Sequence, residues 1–207
     1  MNLYSQYGQE EFLNNNYFNE KTDGFFLDIG ANDGVSLSNT KGFEELGWKG
    51  ICVEPNPDVF KKLIESRNCK CLNVALYNET KEVDFLLCDG YTEMLSGVVD
   101  EYNAAHLNRI DNEIRSKGGS KRIVKVQTNR LEDFLDESQK IDVMFIDTEG
   151  SEYTILKSID FNKYNIRFIC FENVYNDHDF KSLLENSGYR HIKRLNIDDV
   201  YEKINWV

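Results

Sequence analysis

GFFLDIGANDG, at residues 24–34, is a continuous apolar run that leads directly into a turn. The run at 24–29 has the length and composition of a buried β-strand. Gly30 and Gly34 permit a tight reversal of the chain and let a ligand approach the backbone closely. We therefore expect a strand that carries a ligand-binding turn at its carboxyl end. The turn alone does not identify the ligand.

Strands and helices alternate along the rest of the chain. Asn56 followed by Pro57 is typical of a helix start, and Gly188 is typical of a helix end. The sequence predicts strands at 50–54, 70–76, 83–87, 122–128, 141–147 and 166–172, helices at 39–46, 58–66, 100–117, 130–135, 152–159 and 179–187, and a hairpin at 189–195 and 201–207. Because the apolar runs are too continuous for a half-exposed sheet, this pattern predicts a doubly wound α/β fold, with helices on both faces of a mostly parallel sheet.

Length, charge and hydropathy limit the classes of protein and partner. The 207 residues are 41% hydrophobic and contain no linker-like stretch, which favours one domain over 1–207. The net charge of −12 repels phosphate backbones, so no nucleic acid partner is expected. No apolar run is long enough for a signal sequence or a membrane span. An odd number of cysteines, three of them in apolar stretches, favours a reducing compartment, and we expect a cytoplasmic protein.

Acidic residues at the strand ends predict the ligand of the first turn. A dinucleotide site requires a third glycine, and the carboxylates of Asp28 and Asp33 would repel a pyrophosphate. They suit a ligand with an ammonium and a sulfonium group. Glu54, at the end of the second strand, is placed to accept hydrogen bonds from ribose hydroxyls. These residues predict S-adenosylmethionine, with the alternative that the three acids only cap helices.

The sequence also resembles the FkbM-type methyltransferases, from about residue 4 to residue 199. The resemblance is carried by the stretches YSQYGQ at 4–9, GFFLDIGANDG at 24–34, SNT at 38–40, GWKG at 47–50, EPNP at 54–57, SG at 96–97, IDTEGSE at 146–152, FEN at 171–173 and GY at 188–189. It implies a Rossmann-like class I methyltransferase fold, with a mostly parallel seven-stranded sheet and a C-terminal antiparallel hairpin. It also implies S-adenosylmethionine as donor and O-methylation of a small hydroxylated acceptor such as a sugar or polyketide. Thr148 stands where the family more often has an aliphatic residue.

The strand ends and the resemblance together give a set of donor-binding residues. Asn73 and Ala75, at the end of the third strand, are expected beside the adenine, although an asparagine there is also typical of a turn. The expected set is Gln6, Asp28, Gly30, Ala31, Asn32, Asp33, Gly34, Ser38, Glu54, Pro55, Asn73 and Ala75. We expect residues 1–20 to form an N-terminal lid segment and residues 88–122 to form an insertion near the acceptor site.

Polar residues after two later strands are the candidates for the chemistry, for which two mechanisms stay open. An acceptor hydroxyl needs a base that takes its proton or a metal ion that polarises its oxygen. In the first mechanism Asp147 or Glu149 is the general base. His178, in the next loop, is a further candidate for the base or for an acceptor contact, although a solvated loop histidine is also typical. In the second, Asp147, Glu172 and Asn173 bind Mg²⁺ or Mn²⁺.

We therefore expect an S-adenosylmethionine-dependent O-methyltransferase that acts on a hydroxyl of a sugar or glycan. The expected partner is a small-molecule or glycan acceptor. One alternative is a non-catalytic donor-binding module within a larger multidomain glycan-modifying protein. Another is an NAD-dependent oxidoreductase. Donor binding that requires Glu54 distinguishes the methyltransferase from the oxidoreductase, and turnover distinguishes it from the binding module.

Overall fold

A computed structural model describes residues 1–174 and 179–206 of the chain. Its strands are β1 Phe25–Ile29, β2 Lys49–Val53, β3 Lys70–Leu72, β4 Ala75–Leu76, β5 Glu82–Cys88, β6 Gly97–Val98, β7 Lys121–Asn129, β8 Ile141–Ile146, β9 Ile166–Glu172, β10 Tyr189–Leu195 and β11 Asp198–Lys203. Its α-helices are α1 Gln9–Leu13, α2 Lys41–Glu45, α3 Pro57–Ser66, α4 Ala104–Lys117, α5 Glu152–Ser158 and α6 Phe180–Asn186. None of these helices is both long and apolar enough to cross a membrane.

The main sheet has seven strands in the order β10-β11-β9-β8-β1-β2-β3. The strands from β9 to β3 are parallel, while β11 pairs antiparallel with both β9 and β10. Side chains of the central strand β1 enter two buried clusters on opposite faces. Leu27 packs in the cluster that contains Ile155 of α5, and Phe26 packs in the cluster that contains Leu63 of α3. This arrangement confirms the predicted Rossmann-like α/β fold, its mostly parallel sheet and its C-terminal hairpin.

A second sheet has four strands in the order β4-β7-β5-β6. Its strands come from the middle of the chain, between residues 75 and 129. The predicted strand at 70–76 is wrong as one element, because only β3 belongs to the main sheet. The side chain of Asn73 donates hydrogen bonds to the carbonyls of Glu54, at 2.8 Å, and Pro55, at 3.1 Å. Beyond this turn the chain leaves the main sheet, and β4 pairs with β7.

Residues 88–122 connect β5 to β7 and cover one side of the second sheet. They contain a 3₁₀ helix at Gly90–Leu95, β6, a 3₁₀ turn at Val99–Glu101 and the long helix α4. The helix predicted at 100–117 begins later, at Ala104. The side chain of Asn103 caps it there by accepting a hydrogen bond from the backbone N–H of His106 at 2.8 Å.

Two further elements differ from the prediction. The helix predicted at 130–135 is a single 3₁₀ turn, because the Asp133 carboxylate accepts a hydrogen bond from the backbone N–H of Arg130 and closes the turn on itself. The last strand was predicted at 201–207 but begins at Asp198, which lies opposite Glu172 of β9. Pairing with β9, rather than the apolar pattern of the terminus, sets the position of this strand.

The N-terminal segment is largely part of the core. Helix α1 continues into a π-helical turn at Asn14–Phe18. Leu13 and Phe18 are buried, and the ring of Phe18 packs edge-on against the rings of Phe43 and Phe168. Of the lid segment expected at 1–20, this part is therefore a packed layer on the sheet. The covering role expected of this segment stays a prediction.

Close packing between β1 and β2 gives a test of this architecture. A Cβ atom at Gly50 would overlap the ring of Phe26, which is fully buried. We expect Gly50→Ala to lower the free energy of unfolding by about 2 kcal/mol, measured by urea denaturation. The control is Lys49→Ala at the exposed neighbouring position, which should change it by less than about 0.5 kcal/mol. An unchanged midpoint for Gly50→Ala would contradict the packing described.

Candidate active site

A cavity of about 900 Å³ opens beyond the carboxyl ends of β1, β2, β8 and β9. Its far side is formed by residues of the 3₁₀ helix Gly90–Leu95 and of α4. Most of the residues predicted for the donor and the chemistry line it, namely Gln6, Asp28, Gly30, Ala31, Asn32, Ser38, Glu54, Pro55, Ala75, Asp147, Glu149 and Glu172. The four that do not line it are Asp33, Gly34, Asn73 and Asn173, and His178 lies outside the described residues.

Glu54 directly follows β2 and has its carboxylate in the cavity wall. Its Oε1 accepts a hydrogen bond from the backbone N–H of Asn56 at 2.8 Å, and its Oε2 accepts one from Asn32 at 2.9 Å. These bonds fix the carboxylate, while each oxygen keeps a second acceptor position. Burial raises the pKa of Glu54 to about 7, although the two backbone hydrogen bonds act in the opposite direction. Glu54 therefore fits the predicted role of acceptor for ribose hydroxyls.

Arg67, directly after α3, is a fully buried cation behind the first turn. Its guanidinium donates hydrogen bonds to Thr40 Oγ1 and Glu44 Oε2, both at 2.9 Å, and to the carbonyl of Gly34 at 3.3 Å. It also lies 3.9 Å from Asp28 Oδ2, which accepts a further hydrogen bond from Thr40. Burial raises the pKa of Asp28, against the opposing effect of Arg67. Asp28 lines the cavity, but part of its charge is already compensated from within the protein.

Asp33 and Gly34 shape the turn instead of facing the cavity. Asp33 Oδ1 accepts hydrogen bonds from the backbone N–H groups of Val35, at 2.9 Å, and Ser36, at 2.7 Å. Partial burial raises the pKa of Asp33, but these bonds outweigh it and lower the pKa overall. A Cβ at Gly34, where φ is +79°, would lie 2.7 Å from the side chain of Leu63. The turn and its packing on α3 use both residues, and their assignment to the donor site stays a prediction.

The two asparagines at strand ends make contacts with neighbouring segments of the chain. Asn73 holds the end of β2 through the carbonyls described above and does not line the cavity. Asn173 donates a hydrogen bond from Nδ2 to Asp199 Oδ2 at 2.7 Å, on the side of β11. This bond uses the amide N–H group and not the side-chain oxygen, which is the atom that would bind a metal ion. The donor-site role of Asn73 and the metal-ligand role of Asn173 stay predictions.

Gly30 is required by the contact between β1 and β8. Its φ is +89°, and a Cβ at this position would overlap the backbone carbonyl oxygen of Asp147. The backbone N–H of Asp147 donates to the carbonyl of Ile29 at 2.9 Å. The absence of a side chain at Gly30 thus allows the end of β8 to pack closely against the end of β1. This packing places the donor turn next to Asp147.

Three carboxylates meet at the ends of β8 and β9. Oxygen atoms of Asp147, Glu149 and Glu172 all lie within 4.8 Å of one another, a grouping called the acidic cluster below. Solvent reaches Asp147 through the cavity, but protein surrounds the carboxylate on its other sides. Burial and the charge of Glu172 raise the pKa of Asp147, and burial and the charge of Glu149 raise the pKa of Glu172 to about 9. Since like charges resist joint ionisation, the cluster favours a shared proton or a bound cation.

Glu149 joins this cluster through an unusual backbone conformation. Its φ is +58°, and Gly150 follows with φ at +132°. This turn directs the Glu149 carboxylate towards α4, where Oε2 lies 3.6 Å from Nε2 of His106 and 3.9 Å from the guanidinium of Arg109. Burial lowers the pKa of His106 to about 4, so its ring is neutral at pH 7. The sequence assigned no role to His106, because only the fold brings the insertion to the end of β8.

Glu152 stabilises the loop that carries Glu149 by accepting hydrogen bonds from residues on either side of it. It begins α5, as the sequence indicated, and its Oε1 accepts hydrogen bonds from the backbone N–H of Thr148 at 2.7 Å and from the Thr148 hydroxyl at 2.8 Å. Its Oε2 accepts a hydrogen bond from the N–H of Gly150 at 3.0 Å. The threonine that departs from the family pattern therefore supplies one extra bond to the loop that carries Glu149.

The fold and the site together define a Rossmann-like methyltransferase. The family model of the methyltransferase FkbM domain matches residues 28–191, and the chain belongs to this family. S-adenosylmethionine is accordingly its methyl donor, and the oxidoreductase alternative is left without support. Glu54, with two fixed oxygens in the cavity wall, suits the ribose of this donor. Among curated proteins, none matches the chain in sequence.

Several solved structures are similar to the chain at low sequence identity. The Methanococcus jannaschii fibrillarin pre-rRNA processing protein has a TM-score of 0.45 and 12% identity, over 90% of this chain and 69% of that one. The METTL16 MTase domain has a TM-score of 0.46 and 10% identity, over 94% of this chain and 66% of that one. The human methyltransferase 10 domain containing protein has a TM-score of 0.39 and 10% identity, over 95% and 79%. The chain thus spans about two thirds of the length of the first two.

The raised pKa of Glu54 predicts a pH dependence of donor-site binding. Ribose hydroxyls donate to the ionised carboxylate, and protonation below pH about 7 removes that acceptor. We expect the affinity for adenosylhomocysteine, measured by calorimetry, to fall roughly tenfold for each pH unit below this value. Glu54→Gln should bind more weakly and lose this slope. An equal slope in the variant would assign the titration to another group.

The contacts of Arg67 predict that it positions the donor turn. Arg67→Met removes the cation beside the buried Asp28 and leaves Glu44 with Lys41 at 3.3 Å, so we expect a loss of about 3 kcal/mol in the free energy of unfolding and weaker adenosylhomocysteine binding. Arg67→Lys keeps the charge but not the fork of donors, and should be intermediate in both measurements. Lys61→Met, on the exposed side of α3, is the control and should change neither. Full binding by Arg67→Met would remove the positioning role.

Proposed function

We propose that this chain is an S-adenosylmethionine-dependent O-methyltransferase whose acceptor is a hydroxyl group of a sugar or glycan. The observation that carries the proposal is that one cavity contains both Glu54, suited to the donor ribose, and the acidic cluster. Methyl transfer needs an aligned acceptor and the exclusion of water more than covalent machinery. A hydroxyl acceptor additionally needs its proton removed, and carboxylates of raised pKa are suited to that task.

When bound, S-adenosylmethionine supplies an electrophilic methyl group on a positively charged sulfur. The residues of the chain have two ways to activate a hydroxyl beside it. In one, Asp147 or Glu149 accepts the hydroxyl proton, and the neutral ring of His106 stands next to Glu149. In the other, Mg²⁺ or Mn²⁺ would be held by the predicted ligands Asp147, Glu172 and Asn173, with the carboxylate of Glu149 within 4.8 Å of the first two. The all-oxygen set fits a hard cation, and the cavity leaves room for acceptor oxygens.

The cavity lining supports a neutral acceptor. Among the described lining residues Arg109 is the one cationic side chain, and Glu113 binds its Nε at 3.2 Å. A phosphorylated acceptor would meet an excess of carboxylates at close range. Tyr91 and Met94 add exposed apolar surface on the far side of the cavity, opposite the polar strand ends. A sugar, with apolar C–H faces and hydroxyls at its edge, matches such a mixed lining.

Transfer of a labelled methyl group from S-adenosylmethionine to a panel of sugars tests this function. We expect transfer to neutral sugars, and a fall in kcat of roughly 10²- to 10⁴-fold for Asp147→Asn and for Glu149→Gln, with adenosylhomocysteine affinity retained. Glu132→Gln, at an exposed position outside the cavity, is the matched control. A chelator that abolishes transfer, with rescue by Mg²⁺, would select the metal mechanism over the general base.

Two outcomes would contradict the proposal. Donor binding without transfer to any hydroxylated acceptor would favour the non-catalytic binding module. Transfer that survives unchanged in both Asp147→Asn and Glu149→Gln would remove the acidic cluster from the chemistry.

A further inference from the structure

Three cysteine thiols gather around β2 and β3, and none of them lines the cavity. Cys52 lies in β2, Cys69 in the loop after α3, and Cys71 in β3, directly opposite Cys52 in the parallel register. The sulfur atoms of Cys52 and Cys69 are 3.5 Å apart. Cys52 is buried, whereas Cys69 and Cys71 are partly exposed. We refer to these three residues as the thiol cluster.

The loop that carries Cys69 is the same loop that carries Arg67. Glu44 connects the two residues, because its Oε1 accepts a hydrogen bond from the backbone N–H of Cys69 at 2.8 Å while its Oε2 accepts one from Arg67 Nε at 2.9 Å. Arg67 in turn holds Thr40 and the carbonyl of Gly34 at the donor turn. A displacement of Cys69 is therefore transmitted to the donor turn through two hydrogen-bonded residues.

The environment of the thiol cluster favours reaction at sulfur. Hydrogen bonds from the Cys52 and Cys69 thiols lower the pKa of Cys71, and the nearby Arg67 acts in the same direction. The pKa values of Cys52 and Cys69 are raised, as is that of Cys170 in β9, so the 3.5 Å separation of the Cys52 and Cys69 sulfur atoms is what favours reaction of this pair.

We propose that the thiol cluster is an oxidative modification site, at which a hydroperoxide converts Cys52 and Cys69 to a disulfide and thereby weakens donor binding. The inference goes beyond the proposed function and does not depend on the identity of the methyl acceptor. It makes use of three side chains that have no part in the cavity or in the acidic cluster.

The chemistry balances with hydrogen peroxide as the oxidant. Cys69 sulfur attacks one peroxide oxygen, so that an S–O bond forms and the O–O bond breaks, and the thiol proton goes to the departing hydroxide, which leaves as water. Cys52 sulfur then attacks the sulfenic sulfur of Cys69. An S–S bond forms, the S–O bond breaks, and the second hydroxide leaves as water with the proton of Cys52. The two sulfurs lose two electrons, which the peroxide gains in becoming two molecules of water.

The disulfide alters the donor site by moving the loop. The two sulfurs must approach from 3.5 Å to covalent distance, and Cys52 is fixed in the centre of a buried strand. We therefore expect the loop with Cys69 to move towards Cys52, and its neighbour Arg67 to move with it. Displacement of the guanidinium weakens its bonds to Thr40 and Gly34, and a binding turn that is misplaced by about 1 Å loses much of its affinity.

Peroxide titration of the full reduced chain tests the proposal. After alkylation of the remaining thiols and proteolysis, we expect mass spectrometry to find the peptides of Cys52 and Cys69 joined. Calorimetry should show adenosylhomocysteine affinity reduced by about tenfold or more, and dithiothreitol should restore it. Absence of this cross-link, or a complete cross-link with unchanged affinity, would overturn the inference.

Cysteine variants distinguish oxidation at the thiol cluster from oxidation of cysteines elsewhere in the protein. Cys69→Ser should abolish both the cross-link and the loss of affinity, whereas Cys88→Ser, outside the cluster, should retain both. Cys71→Ser provides a second test that leaves the pair intact, and should retain both the cross-link and the loss of affinity. The affinity of the reduced protein reports on the donor site itself, so a failure of the methyltransferase assignment appears there, before any peroxide is added.

Discussion

The contact between the ends of β1 and β8 is the constraint on which the rest of the site depends. Only a residue without a side chain permits it, because a Cβ on Gly30 would overlap the carbonyl oxygen of Asp147. The hydrogen bond from Asp147 N–H to Ile29 continues the parallel ladder to the last residue of the strand. As a result the donor turn and the first member of the acidic cluster lie side by side. Donor and acceptor chemistry share one cavity for this reason, not because their residues are close in the sequence.

Buried charge is the second feature that organises this molecule. On one side of β1, Arg67 is enclosed by Asp28, Glu44 and hydroxyl groups, so that the turn rests on a compensated network. On the other side, the acidic cluster has no comparable cation among the described residues, since Arg109 is half exposed and shared with Glu113. Asp28, next to the donor turn, thus has a buried cation beside it. The carboxylates of the acidic cluster, which are suited to chemistry, have no buried cation of this kind among the described residues. Burial raises the pKa of Asp28 as well as that of Asp147, but Arg67 opposes this at Asp28, whereas the charge of Glu172 adds to it at Asp147.

Sequence patterns predicted what depends on local chemistry and strand order. The apolar run at 24–29 and the strand-end acids Glu54 and Asp147 located the sheet and the cavity, because parallel strands bring their carboxyl ends to one edge. What the sequence does not indicate depends on contacts between distant residues. The side-chain N–H group of Asn173 donates to Asp199 of β11, a partner that the position of Asn173 at the end of β9 does not reveal. Arg67 gave no signal, since nothing local to it indicates that its partners lie at the first turn.

The acidic character of the cavity connects ligand binding, protonation and stability. An acid whose pKa is raised in the folded protein binds its proton more tightly there than in the unfolded chain, so its ionisation disfavours the fold as pH rises towards the raised pKa. Glu54 and Glu172 both belong to this class. At neutral pH the empty cavity is therefore under electrostatic stress that a cationic donor, and a metal ion if one binds, would relieve. Any ligand that binds only the folded state also stabilises it by mass action. We therefore expect the same carboxylates that destabilise the free protein to favour a sulfonium over a phosphate ligand.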